Sequence, residues 1–368
     1  MIVLCLFGLL MIYSASHYSA LARYGDSFYF VKKQLVGFVI GSIIFTFACF
    51  FDYHKFYKIR WWVIGLSILL LILVFVPFIG ISSNGARRWV GIGPISIQSS
   101  EIAKFGFVIF AASYMSKNYK KMKTFWGLMP VIASGGIICL LILLEPNLSV
   151  TLCVGMVLIC MLFVGGIRWK HFLLIAIPAL CLVPVLIIIE PYRLQRLMAF
   201  LNPWANPQEE GFQLIQSLYS LGSGGLFGVG LFNSRQKYLF LPFSESDFIF
   251  SIIGEELGFV GCVAVCVIYI LLILEGIKIA YRAQDRLGGY LAAGITALIS
   301  AQLLINIAVV TGSIPPTGIP LPFISAGGTS LMVFMGAIGV LMNIANNEKI
   351  GFKMKINVFN KKKKLSRV

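Results

Sequence analysis

Charged residues are scarce in this chain. Asp, Glu, Lys and Arg together make up 12% of its 368 residues, whereas hydrophobic residues make up 59%. This charged fraction is about half of that in a typical soluble domain. A single soluble core cannot bury so much apolar surface, because such cores stop growing at about 250–300 residues. The composition therefore excludes soluble globular, collagen-like and disordered chains and predicts a polytopic membrane protein.

Acidic residues are the scarcer charged class, with 14 Asp and Glu against 30 Lys and Arg and a net charge of +16. Such an excess is typical of nucleic-acid-binding proteins. Here, however, the basic residues stand in short clusters between long apolar runs. We therefore expect no nucleic-acid partner, and a basic tail that lies solvated at an anionic membrane surface.

Motifs for metals, disulfides and nucleotides are missing. All eight cysteines lie inside apolar runs without metal-ligand spacing to a histidine, and the nearest pair, Cys262 and Cys266, is one helical turn apart. We expect small buried thiols and no disulfide framework. The glycine-rich run 222–230 lacks the register of a nucleotide-binding loop, although its backbone amides could line an anion site.

Ten apolar runs approach the roughly 20 residues that a helix needs to cross a bilayer. They predict an all-α polytopic membrane protein in which residues 1–345 form one ten-helix domain and residues 346–368 a basic cytoplasmic tail. The long connection 191–247, between the seventh and eighth spans, is expected to be a large extracellular loop that forms an ordered re-entrant or interfacial cap. The spans are placed at about 1–15, 34–52, 61–80, 101–115, 126–144, 147–164, 171–190, 248–275, 289–311 and 325–345.

Lys and Arg are unevenly distributed between the two sides of the predicted bundle. With the N-terminus inside, the inner segments hold 20 of them and the outer segments 9. Because positively charged segments remain preferentially in the cytoplasm, both termini are expected there and the 191–247 connection outside.

Ionisable side chains near the membrane are informative, because they are costly unless partnered. Glu101 and Lys104 lie one turn apart at the start of the fourth span. They form either a structural ion pair along the helix or a site where Lys104 meets an anionic substrate in an aqueous cavity. Asp247, at the outer mouth of the eighth span, is either a helix cap or a functional carboxylate. Glu255, two turns deeper, projects within about 80° of it.

Two further features predict local structure. The spacing Gly37-x-x-x-Gly41 in the second span indicates close packing against another helix. The proline-containing segment 314–323 is expected to hold a fixed shape near the mouth of the Asp247 site.

Short motifs along nearly the whole chain together resemble the SEDS family (shape, elongation, division and sporulation), on the branch that includes FtsW and SpoVE. They occur in the order that the family shows. The motifs are Tyr13-Ser-Ala-Ser16, Gly85-Ala-Arg-Arg-Trp-Val90, Gln98-Ser-Ser-Glu101 with Lys104, Asn202-Pro-Trp204, Gly211-Phe-Gln213 with Gln216 and Tyr219, Gly222 to Gly228, Asn233-Ser-Arg-Gln-Lys237, Asp247-Phe-Ile-Phe250, Glu255-Glu-Leu-Gly258 and Gly318-Ile-Pro-Leu-Pro-Phe-Ile-Ser325 with Gly327-Gly328.

The resemblance implies a peptidoglycan glycosyltransferase that polymerises lipid II on the outer face of the bacterial cytoplasmic membrane during cell division or sporulation. Its essential aspartate falls on Asp247, expected to be the general base. It also implies a class B penicillin-binding protein, a transpeptidase, as partner, together with divisome or sporulation proteins.

Outer-face cations and other motif residues are expected to bind the substrate and its leaving diphosphate. No cofactor is required by this chemistry, although a divalent cation, Mg²⁺ or Mn²⁺, could assist. The expected substrate-binding residues are Arg87, Arg88, Glu101, Lys104, Arg193, Arg196, Gln213, Gln216, Lys237 and Glu255.

Four positions depart from the common pattern of the family. Ser99 stands where proline is usual, Asn147 where aspartate is usual, Phe243 in place of an acidic residue and Ala326 in place of an aromatic one. Because Asp247 is intact, we expect activity to be retained while rate, partner choice or regulation differ.

Two other functions compete with the enzyme. In a lipid II flippase, the intramembrane residues Glu101, Lys104, Glu255 and Glu256 would line a translocation path. The long outer segment has no inner counterpart, and no internal repeat of the kind found in many transporters relates the two halves. In the third interpretation the chain is a scaffold that only recruits the crosslinking partner.

Overall fold

The computed structural model describes residues 1–83, 86–92, 95–189, 191–209 and 211–365, and this part of the chain forms twelve α-helices, two short 3₁₀ helices (Tyr53–Lys55 and Lys121–Lys123) and three strands. The helices are Ile2–Tyr24 (α1), Tyr29–Phe50 (α2), Phe56–Leu73 (α3), Ser99–Lys117 (α4), Phe125–Leu144 (α5), Leu148–Val164 (α6), Trp169–Ile189 (α7), Pro191–Leu201 (α8), Phe212–Gly224 (α9), Ile249–Arg282 (α10), Arg286–Val310 (α11) and Gly328–Leu365 (α12). The strands are Gly80–Ser83 (β1), Ala86–Ile92 (β2) and Ile95–Gln98 (β3).

Seven helical segments of the described residues are long and apolar enough to cross a membrane. They belong to α1, α2, α3, α5, α10, α11 and the first part of α12, and α6 is a shorter apolar helix. These helices confirm a polytopic helical membrane protein, whereas the total of ten spans stays a prediction. The boundary placed at 345 also stays one, since α12 runs from Gly328 to Leu365.

A small antiparallel sheet, with strand order β1-β2-β3, stands between α3 and α4. The sequence did not predict it, because the apolar run assigned to the span 61–80 continues past the end of α3 at Leu73. In the register of β1 with β2, Ile81 pairs with Trp89 and Ser82 pairs with Arg87, so Arg88 is a bulge residue. Such a bulge changes the direction in which neighbouring side chains point.

Helix α11 is the centre of the bundle and packs against α4, α6, α9, α10 and α12. The packing predicted for the glycine pair of α2 is confirmed. A Cβ at Gly37 would lie 2.9 Å from the Cα of Gly328, and one at Gly41 would lie 2.6 Å from the Sδ of Met335. Small residues on α2 thus let α12 approach closely.

Helix α10 is broken at Gly258, which has φ 68° and ψ −166°. The break leaves carbonyls at the end of the first half without partners in the helix. Amides of the glycine-rich run bind these carbonyls: Val229 N donates to Glu255 O at 2.9 Å and Gly230 N to Glu256 O at 3.1 Å. The amides that we expected to line an anion site are therefore partly engaged by the broken helix.

The connection 191–247 is ordered in the part that the structure describes, and it contains α8 and α9. Helix α8 packs against α7, and α9 packs against α10 and α11. The described part of the connection thus has regular structure, while the expected cap and its extracellular position stay predictions.

Candidate active site

One cavity of about 350 Å³ collects residues from many parts of the described chain. Its wall is built by β2, the N-terminus of α6, helices α8 and α9, the turn before α10, the proline-containing segment and the start of α12. The polar residues that line it are Arg88, Gln98, Asn147, Ser149, Arg193, Arg196, Gln213, Ser246, Asp247, Thr317, Thr329 and Ser330.

Asp247 lies in the turn that precedes α10 and is partly exposed to this cavity. The residue in the N-cap position of α10 is Phe248, which makes no side-chain cap hydrogen bond. The interpretation of Asp247 as a helix cap therefore loses its structural basis. Gly318 stands directly against the carboxylate, since a Cβ there would lie 2.7 Å from Asp247 Oδ2.

The surroundings of Asp247 make its carboxylate more basic than usual. Burial and, to a smaller extent, the nearby Glu245 carboxylate raise its pKa against the opposing charges of Arg88 and Arg196, and the net pKa is about 6. A carboxyl with a pKa close to neutral pH is still ionised there yet accepts protons more readily than an ordinary aspartate.

Three arginines line the same cavity as Asp247, and backbone carbonyls accept hydrogen bonds from their guanidinium groups. Arg88 donates to Glu145 O at 3.3 Å and to Pro146 O at 2.5 Å, at the C-terminal end of α5. Arg196 Nη1 donates to Pro316 O at 3.0 Å, and Arg193 Nη2 donates to the carbonyl of residue 143 at 3.4 Å.

The N-terminus of α6 adds to the positive potential of this wall. Asn147 is its N-cap, with Oδ1 accepting from Val150 N at 3.4 Å, and residues 147–149 line the cavity. The unpaired amides of a first helical turn favour an anion. The cavity thus combines one carboxylate with three arginines and a helix N-terminus.

Not every expected arginine or glutamine reaches the cavity. Arg87, one residue before Arg88 on β2, is exposed and outside the lining. Gln213 lines the cavity, whereas Gln216, further along α9, does not. Gly85, which begins the motif of this hairpin, lies outside the described residues.

Glu101 and Lys104 form a buried ion pair away from the cavity lining. Lys104 Nζ lies 2.7 Å from Glu101 Oε1 and also donates to Gln302 Oε1 at 2.7 Å, and both charged side chains are 1% exposed. This arrangement agrees with the structural interpretation of the pair, because an amide from α11 takes the place of an anionic ligand.

Lys237 and Glu255 belong to a second buried network. Lys237 Nζ lies 3.3 Å from Glu256 Oε1, and Glu255 accepts from Ser234 Oγ at 2.5 Å and from Arg235 N at 2.8 Å. These bonds join the 232–239 segment to α10. The structure does not bring Lys237 or Glu255 to the cavity, since their polar atoms serve this connection.

The departures from the family pattern cluster at this site. Asn147, Phe243 and Ala326 all line the cavity, and Ser99 Oγ donates to Glu145 Oε1 at 3.3 Å behind Arg88. Burial raises the pKa of Glu145 to about 8, against the opposing effects of Ser99 and Arg88. The positions that depart from the family pattern thus indicated three uncharged residues of the cavity lining, which the pattern of charged residues did not indicate.

Comparisons with known proteins agree with this architecture. The model of the family described as Cell cycle protein (FTSW_RODA_SPOVE) matches residues 1–350. The chain belongs to this family. The SEDS membership expected from the motifs is thereby confirmed, and the chain is a multi-pass protein of the cytoplasmic membrane.

Among the curated relatives of this SEDS chain are proteins of the FtsW and SpoVE branch. The stage V sporulation protein E of Bacillus subtilis is 41% identical over 346 residues, covering 94% of each chain. A probable peptidoglycan glycosyltransferase FtsW of Geobacter sp. (strain M18) is 38% identical over 351 residues, again covering 94% of each chain.

Two solved structures share the fold of this SEDS chain. One comes from a study of the structural coordination of polymerization and crosslinking by a peptidoglycan synthase complex, with a TM-score of 0.75, 27% identity and coverage of 94% of this chain and 97% of that one. The other is the rod shape determining protein RodA of Thermus thermophilus, with a TM-score of 0.66, 24% identity and coverage of 94% of each chain.

Proposed function

We propose that this chain is a peptidoglycan glycosyltransferase that polymerises lipid II into glycan strands on the outer face of the cytoplasmic membrane, in cell division or sporulation. The observation that carries the proposal is the cavity that Asp247 lines together with Arg88, Arg193 and Arg196. The names of the FtsW relatives and the peptidoglycan synthase complex among the similar structures support the same reaction.

Asp247 serves as the general base in this reaction. Its carboxylate takes the proton from the 4-hydroxyl of the acceptor GlcNAc, and the resulting oxygen nucleophile attacks the anomeric carbon of the donor. The bond from that carbon to the undecaprenyl diphosphate breaks with inversion. Because the diphosphate leaves as an anion, no second carboxylate is needed as an acid.

The cationic wall stabilises the leaving diphosphate. Arg88, Arg193 and Arg196 offer planar guanidinium groups suited to phosphate oxygens, and the α6 N-terminus adds partial positive charge. Their backbone hydrogen bonds hold them before the substrate arrives, so charge that develops on the diphosphate meets preorganised donors.

A divalent cation would need a set of oxygen ligands. Asp247 is the one carboxylate among the described residues that line the cavity, and no cluster of three His, Cys, Asp or Glu suited to a metal occurs in the described chain. These residues do not form a protein-only Mg²⁺ or Mn²⁺ site, and the proposed steps use none.

The proposed partner is a class B penicillin-binding protein, a transpeptidase that crosslinks the new strands. The similar structure from a peptidoglycan synthase complex supports such an assembly. Further division or sporulation proteins are proposed to control when the pair is active.

The flippase alternative receives less support from the geometry. Its path residues Glu101 and Lys104 are paired with each other and with Gln302, and Glu255 and Glu256 bind the 232–239 segment. Charged groups already paired in the interior offer no chain of free contacts to a moving headgroup.

Polymerisation of purified lipid II in detergent, by this chain with its transpeptidase, separates the functions. The wild-type pair should produce glycan polymer and the Asp247→Ala pair should produce none, although both assemble equally. Polymer at the wild-type rate from Asp247→Ala would remove the base role. Flipping in vesicles without polymer from either protein would favour the transporter, and neither activity would favour a scaffold.

A further inference from the structure

The turn that carries Asp247 is held by hydrogen bonds to its backbone carbonyls. Three consecutive carbonyls each accept a hydrogen bond from a different donor. Glu245 O accepts from Ala326 N at 2.9 Å, Ser246 O accepts from Ser325 Oγ at 2.6 Å, and Asp247 O accepts from an amide of α11 at 2.9 Å. A backbone fixed at three successive carbonyls restricts where the Asp247 carboxylate can lie.

The α11 donor to Asp247 is the side chain of Asn306, which is 1% exposed. Its Nδ2 atom also donates to Ile319 O at 2.8 Å. An amide nitrogen carries two hydrogens, so both are engaged. Removing this amide would leave the carbonyls of Asp247 and Ile319 without their donor, and an unsatisfied carbonyl away from water is unfavourable.

The second contact of Asn306 reaches the wall against which the carboxylate rests. Ile319 directly follows Gly318, the residue whose Cα faces Asp247 Oδ2. A single side chain therefore joins the backbone of Asp247 to the segment that limits the position of its carboxylate.

A second amide of α11 holds the next carbonyl of the same segment. Gln302, one turn before Asn306, donates through Nε2 to Pro320 O at 2.8 Å. The two amides fix the consecutive carbonyls of Ile319 and Pro320, and Asn306 is the one of the pair that also reaches Asp247.

We propose that Asn306 is a positioning residue for Asp247, joining the backbone of the base to the proline-containing segment so that the carboxylate faces the acceptor hydroxyl. The inference rests on the proposed function, because it specifies how the proposed base is held in place. Asn306 does not line the cavity, so it acts through Asp247 and not on the substrate.

The test uses the full chain with its transpeptidase and purified lipid II. Asn306→Leu keeps the approximate size of the side chain but removes both donors. Because a misplacement of about 1 Å costs about 10²-fold in a positioned site, kcat should fall about 10- to 100-fold. The KM and the binding of lipid II should remain within about 2-fold, since the arginine wall is held by other residues.

Asn343→Leu is the matched control. Asn343 is also buried and its Nδ2 donates to Cys49 O at 2.6 Å, at a place that does not line the cavity. This variant loses a comparable buried hydrogen bond, so its melting temperature should fall while its kcat stays near that of the wild type. An equal loss of kcat in both variants would show a merely structural role and overturn the inference.

Asn306→Asp provides a second test of the inference if Asn306→Leu does not fold. A buried protonated carboxyl offers at most one O–H in place of two N–H donors, so an intermediate kcat is expected. A wild-type kcat in Asn306→Asp or in folded Asn306→Leu overturns the inference. If Asp247→Ala still polymerises lipid II, the proposed function fails separately, whatever the Asn306 variants do.

Discussion

At the scale of single residues, the charges and the burial around Asp247 determine the pKa of its carboxyl group. Arg88 and Arg196 lower the pKa of Asp247, while burial and Glu245 raise it to about 6. Opposite charges within one water-poor cavity interact more strongly than they would in bulk water. The resulting balance leaves the base ionised at neutral pH beside cationic guanidinium groups.

This balance predicts a pH dependence of kcat/KM. Below its pKa Asp247 is neutral and cannot accept a proton, so the rate should rise with pH and reach half its maximum near pH 6. Arg196→Ala removes a cation that lowers the pKa, so its midpoint should move to higher pH. A series of initial rates from about pH 5 to 8 measures both. A flat wild-type profile, or a downward shift in Arg196→Ala, would contradict the assignment.

Adjacent arginines of β2 give a second residue-scale prediction. Arg88 lines the cavity whereas Arg87 is exposed outside it. Hydrogen bonds to charged groups contribute about 1.5–3 kcal/mol, so Arg88→Ala should lower kcat/KM about 10- to 100-fold. Arg87→Ala, the matched control, should stay within about 2-fold. Equal losses of kcat/KM in the two variants would show that Arg88 does not contact the diphosphate in preference to Arg87.

At the scale of elements, the broken helix α10 and the glycine-rich run form one structural unit. Gly258 has a positive φ and its Cα lies against the backbone of Gly228, so that a Cβ would stand 2.3 Å from Gly228 N. The combination of φ and ψ at Gly258 is essentially restricted to glycine. Through this close approach, the turn of Asp247 and the buried network of Lys237 are attached to the same structural unit.

The fit predicts that Gly258→Ala destabilises the protein. The added methyl group clashes with backbone atoms and strains the peptide, at a cost of about 1–3 kcal/mol or more. Thermal unfolding in detergent should show a lower melting temperature and weaker protection of the 224–230 segment from proteolysis. Gly65→Ala is the control. Apart from the adjoining residues and backbone of its own helix, no heavy atom lies within 4 Å of the new Cβ. Similar melting of the two variants would refute the close fit.

The sequence predicted some of these elements well and others not at all. Long apolar runs predicted most helices, the family motifs indicated Asp247, Arg88 and Gln213, and the predicted outer-face position of Arg193 and Arg196 indicated these two cations. The small sheet was missed because its first strand begins at Gly80, at the end of the apolar run 61–80 that hydropathy alone cannot distinguish from a helix.

Partners distant in sequence explain the remaining differences. Lys104 was a candidate for an anion site until the structure placed Gln302, 198 positions away, against its ammonium group. Asn306 had no signal in the sequence, since its role depends on two carbonyls from separate segments. Periodicity reports which face of an element is apolar, but it does not report which distant group will satisfy a buried polar atom.

At the scale of the whole molecule, the cavity must open on the side where lipid-linked sugars are joined. The excess of Lys and Arg on the predicted inner side, 20 against 9, predicts that the termini lie in the cytoplasm and the 191–247 connection outside. The Asp247 cavity would then face outward.

This topology predicts the labelling of introduced cysteines by an impermeant thiol reagent. Ala205→Cys and Arg235→Cys should react in intact cells, and Lys120→Cys only after permeabilisation. All three positions are exposed in the structure. The chain with its eight native cysteines, all of them free and described, gives the background. Labelling of position 120 in intact cells would reverse the orientation and with it the outward active site.

The central claim is that Asp247 acts as a base, and Asp247→Asn tests it most directly. The amide keeps the size of the side chain and would cap a helix about as well, but it cannot accept the proton. The account predicts a folded protein that binds its partner and polymerises purified lipid II about 10²- to 10⁴-fold more slowly than the wild type. Polymerisation by Asp247→Asn at a near wild-type rate would contradict it.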